Sequence, residues 1–476
     1  MKNPRFILLL ILVIIACLFV PLPNDTLASS PQPFPIQLEA TESNINGYIS
    51  VFLPMVSKLF GHTYYVSPNG NDNNPGTLNH PWKTLNKAAG MVEPGDIVYV
   101  RGGVYQEVVE FSSSGTSEDS IQILAYPGET PIIDGNNFTL PTKYGRALLE
   151  ISGNYYYVSG FEVRYSSYLG VLVEGAHSVA NSINSHHNLH SGMRIEGDFS
   201  VIEYSDIWSN DMQNYNGQYP QGDSAAITAS RHPNYAIIRH NVVYENWGIG
   251  LSTYEANGTI IEDNIVFDNY STNVYLSDTT NVTFQRNFIY VTGNMTGGTQ
   301  IGIQMADEKS DPPSANITII NNIVFGATRN LACFQGSTSK MTNVLIAHNT
   351  FVNATGEANI RISNDLVFEN VSFMNNIIRQ DGEVPIITLP TTHPGLSFSN
   401  NLWSKAPNAS ASGTGDIIGN PLFEQTGDPY SPKWFKVSVV SPAIDKALSL
   451  PNITHDFFGN PRGATPDMGA HELILP

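Results

Sequence analysis

Along the middle of the chain, an Asn followed by mostly apolar residues keeps returning. The clearest copies are "RHNVVYEN" at Arg239–Asn246 and "EDNIVFDN" at Glu262–Asn269. The column runs through Asn241, Asn264, Asn287, Asn322, Asn349, Asn376 and Asn401, at spacings of 23, 23, 35, 27, 27 and 25 residues. Asp206 in "SDIW" reads as an earlier member. A second column runs out of phase with the first. It reads "GVLVEG" at Gly170, "GMRIEG" at Gly192, "SAAITA" at Ser224, "GIGLST" at Gly248, "NVYLSD" at Asn273, "GIQMAD" at Gly302 and "NIRISN" at Asn359. Alternate residues there are mostly apolar, as in a strand with one buried face. Two short strands per repeat, at this spacing, predict stacked coils rather than paired hairpins. Asn side chains stacked in register can bond up and down such a stack, so the column is read as a structural ladder. Function is then sought in residues that break the repetition.

Upstream, "TYYVS" predicts a strand and "PNGNDNNPGT" a loop, while "PWKTLNKAAGMV" predicts a short helix opening on Pro81. One amphipathic helix ahead of many strands is suited to cover the open end of a β stack. The chain divides into a leader (1–28), a linker rich in Pro, Ser and Thr (29–61), a cap with the first coils (62–143), the coils proper (144–404) and an appended segment (405–476).

Lys2 and Arg5 precede an apolar run from Phe6 to Val20, and Ala28 offers a small cleavage residue. This is the pattern of a secretory signal peptide, and the run is short for a membrane span. Ile14-Ile15-Ala16-Cys17 offers an alternative, a lipobox that would attach the chain to a cell envelope through Cys17. The only cysteines are Cys17 and Cys333, so an exported form cleaved near Ala28 has no intrachain disulfide. Net charge is −19 and the isoelectric point is near 4.9, which argues against nucleic-acid partners. An acidic polymer would need cations to approach such a surface. A monomer is expected.

The opening "YYVSPNGNDNNPGT…PWKTLNKAAGMVEPGDIVYVRGGVY" resembles the start of secreted right-handed parallel β-helix proteins of the pectate-lyase-like superfamily. It is especially similar to the family-9 polysaccharide lyases and their relatives. The ending "NPLFEQTGDPYSPKWFKVSVVSPAIDKA…DFFGNPRGATPDMGAHE" looks like a tail segment often found after such helices. The resemblance covers roughly Thr63 to Glu472. It implies an all-β fold: one right-handed parallel β-helix with a short N-terminal capping helix and a C-terminal appended segment. It also implies a carbohydrate substrate, although the same fold serves lyases, hydrolases, epimerases and adhesins.

In the second column the outward residues are read as Leu172, Arg194, Ala226, Gly250, Tyr275, Gln304 and Arg361, lining a shallow groove suited to an extended polymer. The following turn collects Asp198, Ser230, Tyr254, Thr279 and Glu308. The longest interruption, Ser209–Ser224, holds Asp211, Tyr215, Tyr219 and Asp223. A second lies near Gly293–Gln300 and Asp307–Ser314. Long loops on a regular scaffold often carry function. Cleaving a uronate by β-elimination needs a base for the C5 proton and a cation for the neighbouring carboxylate. By the resemblance, family-9 lyases supply a lysine base and calcium held by aspartates. Between Tyr144 and Trp403 the only lysines are Lys309 and Lys340, and Lys309 follows a groove strand. Asp223 and Asp211 are the carboxylates offered to Ca2+, although no second Asp adjoins Asp223. Other lyases and epimerases on this fold use Lys with Arg, or His with Tyr or Arg. His190, Arg194 and His232 are the preferred catalytic set here, with Lys309 as the lysine alternative. Tyr254, Tyr275, Gln304 and Tyr219 are candidates for holding substrate. The expected function is a secreted polysaccharide lyase acting on an acidic, uronate-containing polymer. A non-catalytic glycan-binding surface protein and a glycoside hydrolase or uronate epimerase remain alternatives; Asp198, Asp223 and Glu255 are the carboxylates a hydrolase would use.

Overall fold

The computed structural model describes residues 61–136, 147–218, 224–309, 313–335, 340–364, 366–389 and 393–475. Leader and linker, with Cys17 and Ala28, lie outside them, as do Tyr219 and Asp223. Among the described residues no helix is long and apolar enough to cross a membrane.

The strands stack in parallel into three sheets of 13, 11 and 13 strands, each coil adding one strand to each sheet. One coil is Met193–Ile195, Val201–Glu203 and Asp206–Trp208, and the next begins at Ala225–Ser230. The fold is an all-β right-handed parallel β-helix. There are three strands per coil where the sequence pattern predicts two. The extra one, such as Ile237–Arg239 just ahead of the Asn column, has three residues and only its middle one buried. That is too short to display an alternation.

Inside, like residues stack on like. Val171, Met193, Ile227, Leu251, Val274, Ile303, Leu331 and Ile360 form one continuous row in register, and all are buried. Burying each such side chain contributes roughly 1.5–3 kcal/mol. A corner between two sheets leaves backbone groups inside the stack that need partners. The Asn column meets that need. Asn264 Nδ2 donates to the carbonyls of Ile238 and Glu262 and to Asn287 Oδ1, at 2.9–3.0 Å. The same side-chain link joins Asn241 to Asn264 and runs on from Asn287 through Asn322, Asn349 and Asn376 to Asn401. The residue before each, from His240 (φ 55) to Asn400 (φ 50), is left-handed, which turns the chain through the corner. Upstream the column position is held by Ser205, whose N–H donates to Asn241 Oδ1. Asp206, the expected member, is the next residue and begins a third-sheet strand. A second ladder, Asn188, Asn210, Asn246, Asn269 and Asn273, lines the corner that leads into the 11-stranded sheet.

Both ends of the stack are covered. The helix Leu85–Ala89 is shorter than its sequence pattern suggests. Thr84 caps it, and Glu107 accepts from the Leu85 and Asn86 N–H groups at 2.8 and 3.0 Å. It buries Leu85, Ala88 and Ala89 against the first coils. At the other end the third sheet continues to Ile417–Ile418. The chain then folds back over that sheet, where Phe423, Phe435, Val437 and Met468 pack on Phe288, Ile323, Ile377 and Leu402.

Candidate functional site

The 11-stranded sheet turns a row of side chains outward. Its register places Leu172, Arg194, Thr228, Ser252, Tyr275, Gln304, Ala332 and Arg361 side by side. Ala226 and Gly250, expected in this row, are buried instead. Aligning the motifs on their glycines puts these two strands two residues out of step. The true equivalents, Gly192, Ala226 and Gly250, sit at the inner corner, where space is short. A Cβ on Gly250 would stand 2.5 Å from Asn269 Nδ2, in the second ladder.

Over this row lies a cleft of about 440 Å³. Arg194, Thr228, Ser252, Tyr275 and Gln304 form its floor, and Arg194 is the one cationic residue among those lining it. Ser230, Tyr254 and Glu308 stand on the side where the strands end; Ser191, Ser224, Ile249 and Thr272 stand where they begin. Ser252 Oγ donates to Thr228 Oγ1 at 2.8 Å, and Thr272 Oγ1 donates to Gln304 Oε1 at 3.4 Å. Tyr275 stacks with Phe334 at 6.4 Å. Burial, and then the Glu308 carboxylate that its hydroxyl meets, push the Tyr275 pKa up, so the phenol stays protonated.

The Arg194 guanidinium is held loosely. Its Nη1 lies 3.5 Å from Glu196 Oε1, while its Nε is buried without a hydrogen-bond partner. Arg231, on the next coil, reaches the same Glu196 oxygen at 3.3 Å. His190 sits at the edge where strands begin. Its Nδ1 is 3.2 Å from Ser224 Oγ, and its ring packs edge-on to Tyr168. Burial first, and the Arg194 charge second, lower the His190 pKa and keep the imidazole neutral.

His232 and Lys309 lie elsewhere, on the rim at the strand ends. His232 is 72% exposed and 3.7 Å from Glu255. The Lys309 ammonium pairs with Glu255 and lies 4.7 Å from the Tyr254 ring centre. The Glu255 contact raises the Lys309 pKa, so the group is charged rather than basic. The structure thus brings Arg194, Tyr254, Tyr275 and Gln304 to one cleft, with His190 at the edge where strands begin, Lys309 over the Tyr254 ring at the edge where they end, and His232 exposed on the rim.

The carboxylates offered to calcium do not assemble among the described residues. Asp211 is 1% exposed, precedes a short 3-10 turn without capping it through its side chain, and lies so close to Gly248 that a Cβ there would be 2.3 Å from its Oδ2. No group of three or more His, Cys, Asp or Glu is placed to hold a metal among the described residues. Asp223 lies outside the described residues, and Asp211 alone does not supply the six to eight oxygens that calcium takes.

The two interruptions meet beside the groove. Tyr270 is flanked by Gly217 of the first and Gly297 of the second, whose Cβ positions would lie 2.0 and 3.6 Å from its hydroxyl. A smaller cleft of about 310 Å³ opens there beside Trp247. Glu196 and Arg231 are not singled out by the sequence pattern. They are 35 residues apart in the chain, and only the stacking of coils joins them.

Comparison with known proteins fits this architecture. Residues 64–287 match the family model described as "Pel9A-like, right handed beta helix region". Pectate lyase L of Dickeya dadantii is 27% identical over 175 residues, which cover 33% of this chain and 40% of that protein. Pectate lyase PEL9 of Emericella nidulans is 26% identical over 220 residues, covering 43% of this chain and 53% of that one. The chain thus spans about half or less of the length of these relatives. The crystal structure of pectate lyase Pel9A superposes with a TM-score of 0.55 at 19% identity, covering 87% of this chain and 96% of that one. The chain thus shares the right-handed β-helix fold of these proteins, and its likeness to polysaccharide lyases is at low identity.

Proposed function

We propose that this protein is a secreted polysaccharide lyase whose groove takes an acidic, uronate-containing polymer and cleaves it by β-elimination. The observation that carries the reading is Arg194: one guanidinium on the floor of a cleft otherwise lined by neutral or acidic groups, its Nε buried without a partner. A buried donor left unpaired costs free energy that a ligand acceptor recovers. A uronate carboxylate matches a guanidinium in charge and geometry. Neutralising that carboxylate acidifies the C5 proton. The neutral imidazole of His190, at the edge beside Arg194, is the base in this reading. It takes the C5 proton; the C–H electron pair forms the C4–C5 double bond; the C4–O bond breaks, and the leaving oxygen is protonated from solvent. The calcium and lysine of the family-9 resemblance have no part in this scheme, because the described donors do not assemble and Lys309 is held as an ammonium.

The pectate lyases among the relatives make pectate the first polymer to try, followed by alginate and glycosaminoglycans, each with calcium and with chelator. The readout is ultraviolet absorbance of the unsaturated uronate. Arg194→Ala is expected to lower kcat/KM at least about 100-fold, with Lys309→Ala within about threefold of wild type because its charge is already spent on Glu255. Loss of turnover on Lys309→Ala with retention on Arg194→Ala would reverse the assignment. A second reading, a glycan-binding surface protein without turnover, draws on the charged state of Lys309. Binding with a flat absorbance trace on every polymer would establish it.

A further inference from the structure

Ten guanidiniums meet carboxylates among the described residues, eight of them at 2.6–3.1 Å, and Arg194 and Arg231 stand apart from the rest. Arg101–Glu129, Arg164–Asp134, Arg239–Glu203 and Arg286–Asp263 close to 2.6, 2.9, 2.7 and 2.8 Å. Those are the lengths of charge-assisted bonds that hold a fold together. Arg194 instead stands 3.5 Å from Glu196, and Arg231 stands 3.3 Å from the same oxygen. Two cations share one carboxylate, and neither closes on it.

We propose that Glu196 is a resident competitor for the acidic ligand: its carboxylate fills a seat between Arg194 and Arg231 that a carboxylate of the polymer takes over on binding. This rests on the reading of the groove as an acidic-polysaccharide site and names two further residues of it. Three observations support an exchangeable seat. The contacts are long. Arg194 Nε is buried and lacks a partner, so the present arrangement leaves donor capacity unused. Arg231 and His232 are also consecutive left-handed non-glycine residues, at φ 67 each. Backbone in that region is disfavoured and persists where its surroundings enforce it. Here the turn is anchored on the coils either side: the His232 N–H donates to the Glu255 carbonyl at 2.8 Å, and the Asn234 N–H to Asp198 at 2.8 Å. The strained turn carries Arg231 at the groove rim, 46% exposed, facing Glu196.

The test is calorimetric titration of the full chain with short oligogalacturonates and oligomannuronates, each as free acid and as methyl ester, and with a sulfated oligosaccharide. Glu196→Gln keeps the shape and a carbonyl acceptor but removes the competing charge. It is expected to tighten free-acid binding roughly fivefold to tenfold and leave the methyl esters unchanged. Arg231→Ala, a second variant on an exposed residue, is expected to weaken free-acid binding about tenfold. Unchanged or weakened free-acid affinity in Glu196→Gln, from protein with wild-type circular dichroism, overturns the proposal. So does tightening for the sulfated probe alone, since the seat is then not one for a carboxylate. Tightened free-acid binding with no ultraviolet signal supports the seat while sinking the lyase reading. Lyase turnover with unmoved Glu196→Gln affinity does the reverse. Free-acid probes that bind no folded variant overturn both.

Discussion

At the scale of single residues, this protein uses one side chain for two unlike tasks. Asparagine inside the coils completes backbone hydrogen bonding, and asparagine at the corners accepts a left-handed φ that most residues resist. Asn375 is one such corner residue, and it bonds at 2.9 Å to His348, the left-handed residue at the same corner one coil earlier. The interior role is the more demanding. Asn264 is buried and donates three bonds, while its Oδ1 accepts from Asn241 N–H and Nδ2 at 3.0 Å. Removing it takes a donor from two carbonyls, of which that of Glu262 keeps the His240 N–H at 3.2 Å, and takes the acceptor from the Asn241 amide of the coil below. Asn264→Ala is expected to cost about 2–4 kcal/mol, read as a lowered midpoint in urea with an unchanged slope. The exposed row Asn281, Asn316, Asn343 and Asn370, also linked side chain to side chain at 2.9–3.0 Å, faces water. Asn343→Gly there, which keeps its left-handed φ of 55, is expected to cost under about 1 kcal/mol, and similar losses for both substitutions would show that the interior ladder carries no special weight.

At the scale of elements, the C-terminal segment is fastened by groups that burial keeps from ordinary titration. His348 donates from Nδ1 to the Asp467 carbonyl in the arrangement where its Nε2 accepts from Asn375, and burial holds its pKa well below the usual value. His471 Nδ1 accepts from the Val437 N–H at 3.2 Å, and burial lowers its pKa from 6.5 to about 4. Both imidazoles are neutral when folded. In the unfolded chain they take up protons below pH 6.5, so folded stability falls as pH drops from about 6.5 toward 4. His471 alone accounts for about 3 kcal/mol of that loss. Asp467, whose pKa burial raises, opposes the trend only near the ordinary carboxylate range. Thermal midpoints at pH 7.5 and 4.5 check this, and replacing His471 by Gln should flatten the difference. A pH-independent midpoint would mean the segment detaches without charging its histidines.

The same elements show what could be read from the chain beforehand. Asn264 and its equivalents repeat because each coil poses the same corner problem, so the stack is legible as periodicity. Arg194, Tyr275 and Gln304 were legible as outward residues because their strands alternate cleanly. Thr228 and Ser252 were not. Their strands begin with small residues buried at the inner corner, and "SAAITA" and "GIGLST" therefore slide by two. Glu196 and Arg231 were hidden for another reason. Their contact joins neighbouring coils across the long Ser209–Ser224 interruption, and nothing local marks it.

At the scale of the whole molecule, charge and groove pull in opposite directions. The chain carries a net charge of −19, and the cleft in its groove is lined by a single cation. An acidic oligosaccharide therefore approaches against the field of the protein and is held by a local one. Screening weakens the long-range repulsion more than the short contact. The association rate should rise as ionic strength goes from about 0.01 M to about 0.1 M, the reverse of a basic polymer-binding protein. Stopped-flow binding measures it, and a rate that falls with salt would show that the approach is steered by cations outside the described residues. The interior Asn column adds an electrical direction of its own. Every side-chain amide from Asn241 to Asn376 donates to the next Asn Oδ1 toward the C-terminal coils and, from Asn264 on, turns its own Oδ1 toward the coil before. Aligned amide groups sum as they do along an α-helix, with the positive pole at the end their N–H bonds face. At that end stands the Asp416 carboxylate, which accepts from the Asn401 N–H at 2.8 Å, from Trp403 Nε1 at 2.9 Å and from the Gly413 N–H at 2.9 Å. The solenoid has a polarity as well as a period, and Asp416 is the counter-charge at its positive pole.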